Sequence, residues 1–156
     1  MSDLRSLYEA VILDHNRHPR NYPHRPEGAN VYAHGFNPVC GDEFRVHARV
    51  ENGTIADIGF EGAGCAISTA SASIMTVAVK GMSVEVAEAL LQKVHAVLIG
   101  KAPAEEMPGS MKALLGVREF HIRIKCATLA WHTLHNALHG KRSATTEHEH
   151  VQEAVG

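Results

Sequence analysis

Residues 43–62, "EFRVHARVENGTIADIGFEG", decide how the chain is built. Phe44, Val46, Ala48 and Val50 alternate with polar side chains, the period of a strand with one buried face. Asn52-Gly53 follows, a dipeptide that tolerates positive φ at both positions and so favours a tight hairpin turn. Ile55, Ile58 and Phe60 mark the returning strand. Upstream, "NVYAHGF" (30–36) supplies a further extended segment, so the middle of the chain reads as a small antiparallel sheet.

Outward from this sheet the periodicity changes. Leu4, Leu7, Tyr8, Val11 and Ile12 recur at helical spacing before Pro19, which predicts a core-facing helix over about 3–17. After "EGAGC" (61–65) the texture is helical. Residues 66–80 are rich in small side chains suited to close packing, and Gly81 ends the segment. Ser83 is placed to cap the next helix, which runs to Gly100. Residues 101–120 read as an irregular connector with one short helix before Gly116, and a final helix spans about Arg123 to Leu138. The expected fold is α+β: a small three-stranded antiparallel sheet with helices packed on one face, an N-terminal helix before it and C-terminal helices after it. One domain over residues 1–140 is expected, followed by a polar, flexible tail over 141–156.

Fifteen Lys and Arg balance seventeen Asp and Glu, for a net charge of −2 over 156 residues. No basic run follows a phosphate backbone, which argues against nucleic acid as a partner. No apolar run approaches the roughly 20 residues that span a bilayer, and the start of the chain reads as amphipathic rather than as a secretory signal. A soluble, cytoplasmic protein with no membrane partner is expected. Three cysteines are an odd number, which points to ligation or reactivity rather than a disulfide framework.

Each cysteine sits where the backbone can present sulfur outward. Cys40 lies in a loop before a strand, in "NPVCGDEF" (37–44), and Gly41 permits a positive φ that lets Cys40 and Asp42 aim at one point. Cys65 follows Gly62 and Gly64 at a helix start, where unsatisfied N–H groups lower a thiol's pKa. Cys126 falls near the start of the last helix, with Arg123 a turn back and Lys125 adjacent, both cations that favour thiolate. Three thiolates and one carboxylate match the four ligands of tetrahedral zinc, and they equally match a 2Fe-2S cluster. The ordinary alternative is three inert buried thiols acting as small hydrophobes.

Other polar groups read more simply. His132, His135 and His139 fall roughly 180 to 240° from Cys126 on a helix, a solvated face turned from the thiols. His148 and His150 receive no role. Ser68, Thr69, Ser71 and Ser73 lack the G-x-S-x-G elbow and read as small-residue packing. Trp131 reads as a core or interface aromatic. A cysteine hydrolase built on Cys65 would need a base in reach, and the sequence places none.

The segments "LYEAVILDHNRHPRNY" (7–22), "NPVCGD" (37–42), "FEGAGCAISTASASIMT" (60–76) and "RIKCATLAWHTL" (123–134) closely resemble the U-type iron–sulfur cluster assembly family, the NifU and IscU N-terminal-like proteins, and within it the SufU-like branch. The resemblance runs from Leu4 to Leu138. Scaffolds of the IscU type carry a histidine immediately before the third cysteine and an LPPVK-like chaperone motif; this chain has Lys125 there, lacks the motif and has a longer connector. The resemblance implies a zinc-bound sulfur-transfer protein that serves a SufS-type cysteine desulfurase, with Cys40, Asp42, Cys65 and Cys126 as zinc ligands; Arg123, a turn from Cys126, and Lys125 read from their own positions as cations beside the thiolates, with plain surface charge as the alternative. It implies that Cys40 leaves the metal to receive persulfide sulfur while a desulfurase histidine replaces it, and that turnover of the desulfurase rises. Downstream scaffold or acceptor proteins would be further partners. The other role within the family is a scaffold that assembles a 2Fe-2S cluster on the same four residues and passes it on.

Overall fold

Helix α1 (Ser2–Arg17) leads into strand β1 (Val31–Asn37), followed by β2 (Asp42–Glu51) and β3 (Thr54–Ala63). Helices α2 (Ala66–Val79), α3 (Val84–Leu98) and α4 (His121–Leu138) come next, and β4 (Ser143–Thr145) closes the order. The structure, a computed structural model, describes residues 2–145. His148, His150 and residues 146–156 of the expected tail (141–156) lie outside the described residues, whereas residues 143–145 of that tail are ordered as β4 against the edge of β1.

β2 and β3 pair antiparallel, and the turn between them places Asn52 at φ 52° and Gly53 at φ 76°. Two consecutive positive values match the strand twist, as the Asn-Gly dipeptide requires. The alternation does what it predicts: Phe44, Val46 and Ala48 are fully buried on one face of β2, facing inward with Ile58 and Phe60 of β3. The Phe44 and Phe60 rings meet edge-on with centroids 5.6 Å apart. On the opposite face His47 reaches Glu61 at 3.0 Å, and Arg45 and Arg25 lie within ion-pair distance of the same carboxylate.

The sheet has four strands in the order β3-β2-β1-β4 and is mixed, which corrects the expectation of three antiparallel strands. β4 runs parallel to β1, with His34 opposite Ser143 and Phe36 opposite Thr145. The physical reason is that the added strand carries no alternation of its own. Only Ala144 of the triplet is buried, and the edge of β1 imposes the extended state: the His34 N–H donates to the Arg142 carbonyl at 2.8 Å. Asn136 of α4 holds the approach, its Nδ2 donating to the Ser143 carbonyl at 2.9 Å.

Helices α2 and α4 pack against the sheet and against each other. The small side chains of α2 allow this approach: Ala70, Ser71, Ala72 and Ser73 are fully buried. Ser71 Oγ donates to the Ala127 carbonyl at 2.6 Å and accepts Nε1–H of Trp131 at 2.8 Å, so the buried indole has the partner it needs. Ser83 caps α3 by accepting the Val86 N–H. Where one short helix was expected in the connector, the chain forms a 3-10 turn at Ala104–Glu106 and a longer 3-10 segment at Gly109–Glu119 that continues through Gly116. Met111, Leu114 and Val117 bury its inner side. Among the described residues no helix is long and apolar enough to cross a membrane.

Candidate metal centre

The turn from β1 to β2 presents the first thiol. Asn37 and Asp42 face each other across the strand pair, leaving Pro38 to Gly41 as the connecting loop. The Gly41 N–H closes it onto the Asn37 carbonyl at 2.8 Å, and Gly41 takes φ +75°, the conformation that a side chain disfavours. Cys40 is therefore exposed at the loop tip, whereas Asp42, two residues on, is 1% exposed and points inward.

The second thiol comes from the strand-to-helix turn. Cys65 is the N-cap of α2, with Sγ accepting the Ser68 N–H at 3.4 Å. Its own backbone N–H donates to Oδ1 of Asp42 at 2.9 Å, and the Ser68 hydroxyl donates to Oδ2 of the same carboxylate. Gly64 makes this approach feasible: a Cβ there would lie 2.8 Å from Cζ of Phe44 and 3.1 Å from Oδ1 of Asp42.

The third thiol projects from α4. Cys126 is fully buried, its Sγ 3.5 Å from Sγ of Cys40, and Nδ2 of Asn37 approaches it at 3.9 Å. The ligand atoms of Cys40, Asp42 and Cys126 all lie within 4.8 Å of one another, and Sγ of Cys65 is 3.9 Å from Oδ2 of Asp42. Metal–sulfur bonds of about 2.3 Å in tetrahedral geometry separate two sulfurs by roughly 3.8 Å. The spacing of Cys40, Asp42 and Cys126 thus fits one zinc ion, and Cys65, next to Asp42, is the fourth donor of matching chemistry.

The electrostatics favour thiolate at Cys65. Hydrogen bonding from Cys126 is the largest influence, burial opposes it, and the Ser68 hydroxyl and N–H add to it; together they bring Cys65 down to about 5. Cys126 moves the other way, holding its proton as the donor toward Cys65 in a buried setting. Arg123 stands against this charge, its guanidinium held more firmly protonated by Cys126 first and by Cys65 next. Arg123 also borders a cleft of about 520 Å³ beside Cys65, together with Arg5, Tyr8 and Phe120. Lys125 is exposed one residue before Cys126.

The structure brings Cys40, Asp42 and Cys126 together, sets Cys65 against Asp42 at the edge of that cluster, and places Arg123 beside the thiols. Sequence reasoning missed two supports, Asn37 and Ser68, both fully buried. The sequence reads Ser68 as packing; its position three residues after an N-cap cysteine is the signal that a hydroxyl reaches the helix entrance. Asn37, three residues before Cys40 in a Pro-containing turn, accepts the Val39 N–H at 3.2 Å and shapes the loop. Among the described residues the Cys65 thiol bonds Asp42 and Ser68 rather than an imidazole, which argues against a cysteine hydrolase.

This arrangement can be set against known proteins. The sequence pattern of the NifU-like N-terminal domain matches residues 7–146. The chain belongs to that family. As a NifU-like domain it is 41% identical to the iron–sulfur cluster assembly scaffold protein IscU of Streptococcus pyogenes serotype M1, over 95% of this chain and 91% of that one. It is 40% identical to the zinc-dependent sulfurtransferase SufU of Bacillus subtilis strain 168, over 85% of this chain and 90% of that one. A crystal structure from Fervidobacterium islandicum AW-1, described as an iron–sulfur cluster assembly scaffold for the SUF system, superposes with a TM-score of 0.77 at 28% identity, covering 86% of this chain and 98% of that one. The loop thiol, the capping thiol and the helix thiol of this NifU-like domain thus belong to a family of iron–sulfur assembly proteins.

Proposed function

We propose that this NifU-like protein is a zinc-dependent persulfide acceptor that takes sulfur from a SufS-type cysteine desulfurase and passes it on in cytoplasmic iron–sulfur cluster biogenesis. The observation that carries this reading is the contrast among the thiols. Cys40 is exposed at a loop tip, whereas Asp42, Cys65 and Cys126 are fixed by a strand, a helix cap and a buried helix face. One donor can swing out while three keep their places.

Cys40, Asp42, Cys65 and Cys126 would hold the zinc, which supplies thiolate character at neutral pH without redox chemistry of its own. The Cys40 thiolate attacks the outer sulfur of the desulfurase persulfide. A new sulfur–sulfur bond forms at Cys40, the old one breaks, and the desulfurase cysteine leaves as thiolate, with no net oxidation. Arg123 stabilises the negative charge left among the remaining thiols, and Lys125 offers a second cation at the mouth. The 40% identity to a protein named as a zinc-dependent sulfurtransferase supports this reading.

A second reading has its own support. The 41% identity to a protein named as a cluster scaffold favours assembly of a 2Fe-2S cluster on the same four residues, the cluster being cargo. Metal and sulfide analysis of untagged protein, expressed with zinc and iron both available, separates the two. The relay predicts about one zinc per chain and faster sulfide release by the desulfurase. Iron with acid-labile sulfide and no stimulation would move the assignment to scaffold.

A further inference from the structure

A second group of metal-type donors lies on the far side of α4. His135 and His139 stand one helical turn apart and share a carboxylate from α3. Oε2 of Glu88 accepts from Nδ1–H of His135, and its Oε1 lies 3.4 Å from Nε2 of His139. The two imidazole centroids are 4.5 Å apart, and one ligand atom from each of the three residues falls within 4.8 Å of the others. Nine residues separate His135 from Cys126, about 13 Å along a helix axis and half a turn round it. The cluster is spatially distinct from the thiols.

Protein groups alone leave this cluster incompletely satisfied. Oε1 of Glu88 is buried and makes no hydrogen bond among the described residues; the His139 approach has the distance of an ion pair without hydrogen-bond geometry. Oε2, by contrast, has both His135 and Nε2 of Gln92 at 3.3 Å. A buried carboxylate oxygen without a donor is costly, and a cation seated between Oε1 and the imidazoles removes that cost. His139 is the C-cap of α4, so the negative end of the helix dipole also favours positive charge there. Its side chain is 53% exposed, which leaves a path and a position for water.

We propose that Glu88, His135 and His139 form a second divalent-cation site. Two imidazoles and one carboxylate select zinc, cobalt, nickel or copper(II) over magnesium or calcium, which prefer all-oxygen shells. Three protein donors and a water complete a four-coordinate ion. The histidine face turned from the thiols is then a binding surface as well as a solvated one.

Cobalt(II) titration of full-length, untagged, reduced protein tests the site, because thiolate-bound cobalt shows intense near-ultraviolet charge transfer and imidazole–carboxylate cobalt does not. Wild type is expected to take up thiolate-type cobalt and, separately, a saturable second equivalent with weak visible bands alone. His139→Gln and Glu88→Gln should each lose the second equivalent while keeping the thiolate bands. A His148→Gln/His150→Gln variant should retain both. His139 is exposed at a helix end, so its variant should keep the far-ultraviolet dichroism and metal-free melting of wild type; Glu88→Gln provides an independent second reading. The proposal is overturned if wild type shows no second equivalent, if that equivalent survives His139→Gln, or if it vanishes in the tail variant.

Discussion

The backbone N–H of Cys65 donates to Oδ1 of Asp42 at 2.9 Å, so a single buried carboxylate ties the start of β2 to the N-terminus of α2. Ser68 holds the other oxygen. Asp42 is therefore fixed before any metal arrives, and the distance between two of the thiol-bearing elements is set by hydrogen bonds rather than by the ion.

Ser68→Ala tests that arrangement. It removes the donor to Oδ2 and leaves a buried carboxylate oxygen short of a partner, a cost of about 1–3 kcal/mol. Zinc affinity measured by chelator competition should fall about 10- to 100-fold, the usual effect of losing a partner that orients a ligand. Unchanged affinity with unchanged denaturation midpoint would show that Ser68 only fills space.

Gly64→Ala should damage the centre through sterics. The added methyl would meet Phe44 at 2.8 Å, a distance that native Cβ atoms do not sustain, and crowd Asp42 at 3.1 Å. Phe44 is in the core and cannot yield freely, so the turn must shift and carry Cys65 away from Asp42. Weaker zinc binding with most of the fold retained by circular dichroism is the expected pattern. Full zinc affinity in this variant would contradict the close approach.

Arg123→Ala removes the guanidinium that faces the thiols. Their pKa values should rise, so protons compete with metal at higher pH and zinc is released earlier on acidification. The release midpoint should move upward in Arg123→Ala and less so in Arg123→Lys, which keeps the charge but not the fork. Coincident release curves would assign Arg123 to the surface alone.

Much of this centre was legible in the sequence because its parts are local. Gly41 beside Cys40 announced a turn, Cys65 after two glycines announced a helix entrance, and Asn52-Gly53 fixed the hairpin that aligns them. β4 was not legible. Ser143 and Thr145 carry no strand signal, and only the edge of β1 extends them. The 3-10 segment was hidden for a related reason: Pro103, Pro108 and Gly116 read as breakers, while burial of Met111, Leu114 and Val117 holds the turns in place. The Glu88 cluster joins residues 47 apart, which helical periodicity within α4 cannot reveal.

Acid sensitivity follows from two histidines outside the centre. Burial lowers the pKa of His15, which bonds Ser73 at 2.8 Å, and of His47, which bonds Glu61. A folded pKa below the unfolded value of 6.5 means that the unfolded chain binds more protons. Stability is thus fully present above about pH 6.5 and is lost as pH falls below it toward the folded values. The urea midpoint of metal-free protein should drop between about pH 7.5 and 5.5, and His15→Gln should flatten part of that drop. An equal slope in wild type and variant would remove His15 from the account.

The position of the transferred sulfur distinguishes Cys40 from the other two thiols as the acceptor. Zinc-loaded protein would be mixed with a SufS-type desulfurase and free cysteine, quenched with an alkylating agent and mapped by peptide mass. One added sulfur on Cys40 is expected, with no stimulation of the desulfurase by Cys40→Ala at equal zinc content. Sulfur on Cys65 or Cys126, or full stimulation by Cys40→Ala, would contradict it.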